Sequence, residues 1–502
     1  MYRKIARLPF LVILMGIGSL AMLVPAVHAY VARDLHVAQS FFYSSLVLTI
    51  LTSMIAVAVS ARPAARPVRR HLLSLAGAFI VLPALLAVPF REALVDARFY
   101  DAYFEMVSSM TTTGATLYYG DDTLPRTLHL WRAMVAWLGG MLMWISAVAI
   151  LAPLNLGGFE VVSVDHGASG RAALRKERGG DSRERVIRAT WRLAPVYCGL
   201  TLLLWLILVA VGLPPLDGAV TAMSTLSTSG ITLGADMHTA LLPEFVVFAF
   251  LIFGISRVTF RNDGITREAG YLRRDPEIRL AAVIAVTVPA LLFLRHWIGA
   301  FEYAAEENIR SAARALWGEL FTTVSFLTTT GYESVAYMEA RDWSGLGTPG
   351  LVLMGLSLIG GGVATTAGGV KLLRIYALYK HGTREMSRLI YPNSVGGSGD
   401  AVRRLRREGA FVAWIFFMLF ALTVAVTMAA LALAGQNFER ASVLTIAALS
   451  TTGPLALYAA EVPILYAALS DTARGILMAA MVLGRLETLA LIALFNRDFW
   501  RR

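Results

Sequence analysis

The sequence predicts an all-α polytopic membrane protein, with two N-terminal helices and then four pseudo-symmetric repeats of span, short helix, turn and span around one central axis. Three observations carry that expectation. Of the 502 residues, 57% are hydrophobic and 16% charged, where a soluble globular chain carries roughly 25% charged residues. Apolar runs, such as 200–211 with its flanks, 278–294 and 411–434, approach or reach the roughly twenty residues that cross a hydrocarbon core of about 30 Å. Four turns rich in Ser, Thr and Gly recur in matching surroundings.

The N-terminal pair comes first, at about residues 8–30 and 38–59. Arg3 and Lys4, an apolar stretch and Val27-His28-Ala29 resemble a secretory signal with its cleavage site. The stretch is longer than an ordinary signal core and spans by itself, so a retained helix is expected. The net charge of +11 resides in short basic clusters between apolar runs: residues 3–7, 62–70, 171–192, 257–279, 371–407 and 497–502. Successive clusters are separated by two spans, the positive-inside pattern of a membrane protein, and nucleic acid is not an expected partner. Both termini then face the cytoplasm, with about ten crossings between them. The single cysteine, Cys198, excludes an intrachain disulfide and a thiol–metal cluster, and is expected as a small core residue.

The repeats follow. Their turns are Thr111-Thr112-Thr113-Gly114-Ala115-Thr116, Ser227-Thr228-Ser229-Gly230-Ile231-Thr232, Thr328-Thr329-Thr330-Gly331-Tyr332-Glu333 and Ser450-Thr451-Thr452-Gly453-Pro454-Leu455. The glycines recur at roughly one hundred to one hundred and twenty residues, far beyond solenoid periods. Before each turn lies a stretch too short to span, at 100–110, 217–226, 315–327 and 438–449, preceded by a full span. After each comes a polar loop and another span. One such tetrapeptide means little, since Ser, Thr and Gly are ordinary loop residues; four in the same sandwich carry the argument. The chain divides into residues 1–66, the helix pair, and repeats at 67–160, 161–270, 271–390 and 391–502.

Irregular backbone is tolerated at membrane depth only where protein surrounds it or it lines a wet cavity. Gly114, Gly230, Gly331 and Gly453 can take positive φ and turn neighbouring carbonyls toward one axis. The carbonyls of Thr112, Thr113, Thr228, Ser229, Thr329, Thr330, Thr451 and Thr452 are therefore the candidate ion-binding groups, replacing a cation's water shell. Each short helix also aims its partially negative C-terminus at the same place. The turns hold no carboxylate ring, which favours a monovalent cation over a divalent one.

On these motifs the chain resembles the Trk/Ktr/HKT superfamily of potassium transporters, most closely its TrkH-type pore subunits. The resemblance rests also on Trp137-Leu138-Gly139-Gly140-Met141, the run from Ile359-Gly360-Gly361 to Gly368-Gly369-Val370-Lys371, and Gly484-Arg485-Leu486-Glu487. It implies potassium as the transported substrate, four filter strands with one key glycine each, and no enzymatic activity. The second and fourth turns, and Ala367 in place of a third glycine, depart from the family pattern and bear on potassium over sodium selectivity.

The second span of repeat 3, about 350–380, is interrupted at Gly360, Gly361, Gly362, Thr365, Thr366, Gly368 and Gly369. Glycine in a helix costs about 1 kcal/mol relative to alanine, so a break is expected. The resemblance implies that it is an intramembrane gate beneath the filter; close helix packing through small residues is the bland alternative. Arg485 lies well inside the last apolar run, where an arginine needs water or a partner. The resemblance puts it in the ion path, where it repels cations and can donate to carbonyls of the broken span. Glu487 sits on another helix face and is a poor partner.

No glycine-rich nucleotide motif occurs in the cytosolic loops. The resemblance implies a homodimer in the bacterial inner membrane and a cytosolic TrkA-type regulatory subunit that carries the nucleotide (ATP/ADP or NAD), docking near the basic residues 403–407. Those residues also suit anionic membrane lipids. Three alternatives stand beside this reading: a sodium- or proton-coupled (symport) or poorly selective cation transporter, a membrane enzyme, and a non-conducting receptor. An enzyme would cluster His, Asp or Glu at one depth, whereas the eight histidines are scattered along the chain.

Overall fold

The structure, a computed structural model, describes residues 8–60, 67–120, 123–152, 182–233, 241–255, 275–302, 308–344, 349–363, 365–391 and 407–486. These residues form helices and turns, with no strand among them. Helices α1 (Phe10–Ala21) and α2 (Leu23–Val31) make the first span. They part at Met22 because the ring of Pro25 would meet the carbonyl of Ala21 in a continuous helix. Helix α3 (Leu35–Ser60) returns, and the pair packs on repeat 1 through a core containing Met15, Phe41, Phe79 and Trp131. The Phe41 and Trp131 rings meet edge-on at 5.5 Å.

Repeat 1 comprises α4 (Pro67–Ala93), the short α5 (Phe99–Met110) and α6 (Arg126–Ser146), which runs on into a π turn over Ala147–Leu151. Repeat 2 comprises α7 (Ser182–Ala210), the short α8 (Pro215–Ser227) and α9 (Leu241–Leu251). Repeat 3 has α10 (Pro276–Glu302), α11 (Asn308–Leu327), α12 (Val335–Ser344), α13 (Gly350–Ile359) and α14 (Leu372–Ile390). Repeat 4 has α15 (Arg407–Leu433), the short α16 (Phe438–Leu449), one turn of helix α17 (Leu455–Tyr458) and α18 (Asp471–Leu486).

Among the described residues, seven helical spans are long and apolar enough to cross a membrane, while α9 and α13 belong to shorter apolar helices. The chain is thus a multi-pass membrane protein. Twelve-residue helices such as α5 and α16 rise only about 18 Å and cannot span alone. Acidic Asp101, Asp217 and Glu439 occupy the first turns of α5, α8 and α16, where they complement the helix dipole.

Two expectations are corrected here. The segment after the third turn is not simply a polar loop, because α12 forms there and packs on α11. Cys198 is not a core residue: it is exposed on the outer face of α7, among the exposed Leu202, Leu203 and Leu206. An apolar run in a membrane helix faces lipid as readily as protein. The basic residues 3–7, 62–66, 257–274 and 403–406, together with Ala364 and Glu487, lie outside the described residues.

Candidate functional site

The short helices α5, α8 and α16 and the 20-residue α11, longer than the stretch 315–327 expected from the sequence, end in the same way. In α5, the Thr113 N–H donates to the Ser108 carbonyl at 2.8 Å and the Thr112 N–H to the Ser109 carbonyl at 2.8 Å. This pair of bonds is the Schellman termination, which needs a left-handed residue just beyond the helix. The other three turns repeat it, with Ser229 on Ser224, Thr330 on Ser325 and Thr452 on Ala447. The left-handed residues are threonines: Thr112 (φ 56°), Thr228 (54°), Thr329 (58°) and Thr451 (56°). A β-branched residue at such φ is a true outlier, and each costs on the order of 1–3 kcal/mol. Fourfold strain of one kind, all of it buried, marks these turns as a constrained site.

Glycines play a second part. Gly114, Gly230 and Gly331 also take positive φ (74°, 67° and 84°), as the sequence suggested, but Gly453 does not. That expectation is corrected: Pro454 follows, and the fourth strand turns directly into α17. The strands meet in ring order. A Cβ on Gly114 would stand 1.8 Å from the Ser229 carbonyl oxygen, and one on Gly230 2.1 Å from that of Thr330. The Gly331 position faces the Pro454 side chain and Gly453 faces Ala115, while the Gly453 N–H donates to the Thr113 carbonyl at 2.6 Å. Repeat 1 thus touches 2, 2 touches 3, 3 touches 4, and 4 returns to 1.

Beneath the ring lies the broken span. Helix α13 stops at Ile359 and α14 resumes at Leu372. The segment between is fastened to neighbours from several repeats. Gly368 N–H donates to Thr329 Oγ1 at 2.8 Å, and Thr366 Oγ1 donates to the Leu226 carbonyl at 3.1 Å. Gly362 N–H reaches the Gly254 carbonyl at 3.2 Å, and Val363 shares an apolar cluster with Ala147. The Arg485 guanidinium, buried in α18, donates through Nη1 to the Thr366 carbonyl at 2.6 Å.

Sequence reasoning missed Glu277, whose Oε1 accepts from the Val363 N–H at 2.9 Å. Its only local signal is an acidic residue in the first turn of α10, where helix capping explains it equally well. Lys371, at the end of the broken segment, takes φ 85°, and its Nζ donates to the Ala367 carbonyl.

Above the ring a cavity of about 150 Å³ is lined by the four glycines and by Tyr119, Tyr332, Tyr458, Tyr466, His129 and Arg132. Behind the first strand, Arg132 pairs with Glu105 at 2.7 Å, both buried. Glu105 Oε1 also accepts from the Leu117 N–H at 2.6 Å and from Thr116 Oγ1 at 3.0 Å. A charge at this depth is tolerable because it is paired and hydrogen-bonded. The arrangement gathers the turns of all four repeats at one place and fastens the broken span directly against them. Among the described residues, no group of His, Cys, Asp and Glu has the makings of a metal centre.

Residues 38–501 match the family model described as TrkH, cation transport protein. The chain is 30% identical to the Trk system potassium uptake protein TrkH of Salmonella typhimurium over 431 residues, 84% of each chain. It is 28% identical to that of Escherichia coli K12 over 510 residues, covering 100% of this chain and 99% of the other. The crystal structure of the potassium transporter TrkH from Vibrio parahaemolyticus superposes with a TM-score of 0.80 at 27% identity, over 100% of both chains.

Proposed function

The chain belongs to the TrkH family of cation transport proteins, and from that membership we propose that it takes up potassium by conducting the ion along the axis of its four turns. It is a transporter and not an enzyme. The observation that carries the route is the fourfold set of strained, Schellman-terminated turns touching in ring order. Carbonyls of Thr112, Thr113, Thr228, Ser229, Thr329, Thr330, Thr451 and Thr452 would replace the hydration shell. The segment from Gly360 to Gly369 would be the gate, held by Arg485. Rubidium uptake into proteoliposomes containing the purified chain tests this; absence of uptake, with or without cytosolic factors, would refute it.

The assembly is proposed on the family's pattern: a homodimer in the bacterial inner membrane, termini cytoplasmic, with a TrkA-type subunit carrying the nucleotide. The basic clusters between spans support that orientation. A second reading, a poorly selective monovalent cation transporter, draws support from the different geometry at Gly453. Sodium competition in the rubidium assay separates the two.

A further inference from the structure

The four strands are not braced alike. Six residues before the turn glycine, the short helices carry Ser108, Ser224, Ser325 and Ala447. The backbone carbonyl at this position does the same work in all four, accepting the Schellman bond. The side chains differ. Ser108 Oγ donates to the Ala115 carbonyl at 2.7 Å, Ser224 Oγ bonds Ser229 Oγ at 3.0 Å, and Ser325 Oγ accepts from the Tyr332 N–H at 2.6 Å. Each hydroxyl ties its helix to a residue adjacent to the glycine. Ala447 has no hydroxyl to offer.

The fourth strand is held from elsewhere. The Tyr466 hydroxyl donates to the Gly453 carbonyl at 3.0 Å. Tyr466 is 1% exposed and is itself anchored to repeat 1. Its ring packs on Phe104 at 5.9 Å, and its N–H donates to Tyr119 Oη at 3.3 Å. Arg474 Nε donates to its carbonyl at 3.3 Å, while Arg474 Nη1 reaches Asp101 on α5 at 2.7 Å.

We infer that Tyr466 is a positioning residue for ion selectivity, fixing the fourth strand in place of the serine that Ala447 lacks. The inference rests on the reading of these turns as the ion filter. Discrimination between cations that differ mainly in size depends on the number and placement of the coordinating oxygens, which a bond to the strand's own carbonyl controls. Strands 1 to 3 are held by their own helices. Strand 4 is held by a residue of its own repeat that is anchored on repeat 1, beside the Gly453–Thr113 contact that closes the ring.

The test measures rubidium uptake into proteoliposomes with potassium or sodium as competitor, on the full chain and three variants. Tyr466→Phe removes one oxygen and should lower the preference for potassium over sodium roughly five-fold, the effect of one ordinary hydrogen bond. Its thermal unfolding midpoint in detergent should stay near that of the parent. Ala447→Ser combined with Tyr466→Phe should recover most of the preference, since the hydroxyl returns at the position used by the other repeats. The third variant, Gly331→Ser, reports on the filter itself. Parental preference in Tyr466→Phe with a loss in Gly331→Ser would overturn the inference and leave the filter reading standing. Parental preference in both would remove the two together. A loss in Tyr466→Phe that comes with a lower midpoint and no recovery in the double variant would reduce Tyr466 to a packing residue.

Discussion

Removing the Arg485 side chain should open the pore, and the structure sets the scale. Arg485 is 3% exposed, and its guanidinium donates to the Thr366 carbonyl at 2.6 Å. A hydrogen bond to a charged group contributes about 1.5–3 kcal/mol, so a tether made only in the closed state shifts the gating equilibrium by roughly 10- to 150-fold. The charge adds a barrier of its own, about 2 kcal/mol for a cation 7 Å away at an effective dielectric near 20. Arg485→Ala should lose both effects, while Arg485→Lys keeps the charge and loses the planar donor geometry. The assay is rubidium flux into proteoliposomes without a regulatory subunit. Arg485→Ala should exceed Arg485→Lys, and both should exceed the parent. Glu277→Gln weakens the opposite fastening of the same segment, at Val363, and a deletion within 363–368 removes the segment itself. Either change combined with Arg485→Ala should raise flux by less than the two free-energy effects added, because a loop released at one end has little left to lose at the other. A normally assembled Arg485→Ala protein with parental flux would refute the gate. Fully additive gains would leave Arg485 a barrier unconnected to the loop.

Three further outcomes are expected. Gly331→Ser forces a side chain to φ 84° with the Pro454 side chain 3.1 Å from its Cβ; strain of about 1–2 kcal/mol at that strand should lower potassium preference in competition assays. Glu105→Ala leaves Arg132 buried without its carboxylate, which should destabilise the protein by about 3–5 kcal/mol and lower its thermal midpoint. Pairing it with Arg132→Met should recover most of the loss, and a midpoint unchanged in the single variant would contradict the argument. Replacing the arginines of 403–407 with glutamine should weaken co-purification of a cytosolic regulatory subunit and flatten its salt dependence. Equal recovery at low and high salt for both proteins would exclude that segment from the interface.

Much of the architecture is local and so was legible. Span length, basic clusters and the recurrence of hydroxyl-rich turns are set by what lipid demands of any short stretch of chain. Three of the short helices were placed closely, as 438–449 against Phe438–Leu449 and 217–226 within Pro215–Ser227, but 315–327 proved to be the end of a 20-residue helix, Asn308–Leu327. The break after Ile359 followed from glycine content alone. Other features were set by partners distant in sequence. Positive φ was assigned to the turn glycines, yet every turn also places a threonine there. That conformation is fixed by the Schellman bonds and by strands pressing on one another across the axis, neither of which a tetrapeptide displays. Glu277 lies 86 residues from Val363, so nothing in its own neighbourhood announces the contact. Tyr466 was equally silent, because its role exists only where repeat 4 meets repeat 1.

The sequence by itself therefore determined that the chain spans a membrane, that it repeats four times, and where each repeat must bend. Only the tertiary structure decided which face of each span is inward and which buried groups meet. Cys198 shows why. In water an apolar stripe identifies the buried side of a helix, but lipid is as apolar as a protein core, so hydrophobicity cannot distinguish the two sides, and packing alone turns that residue outward.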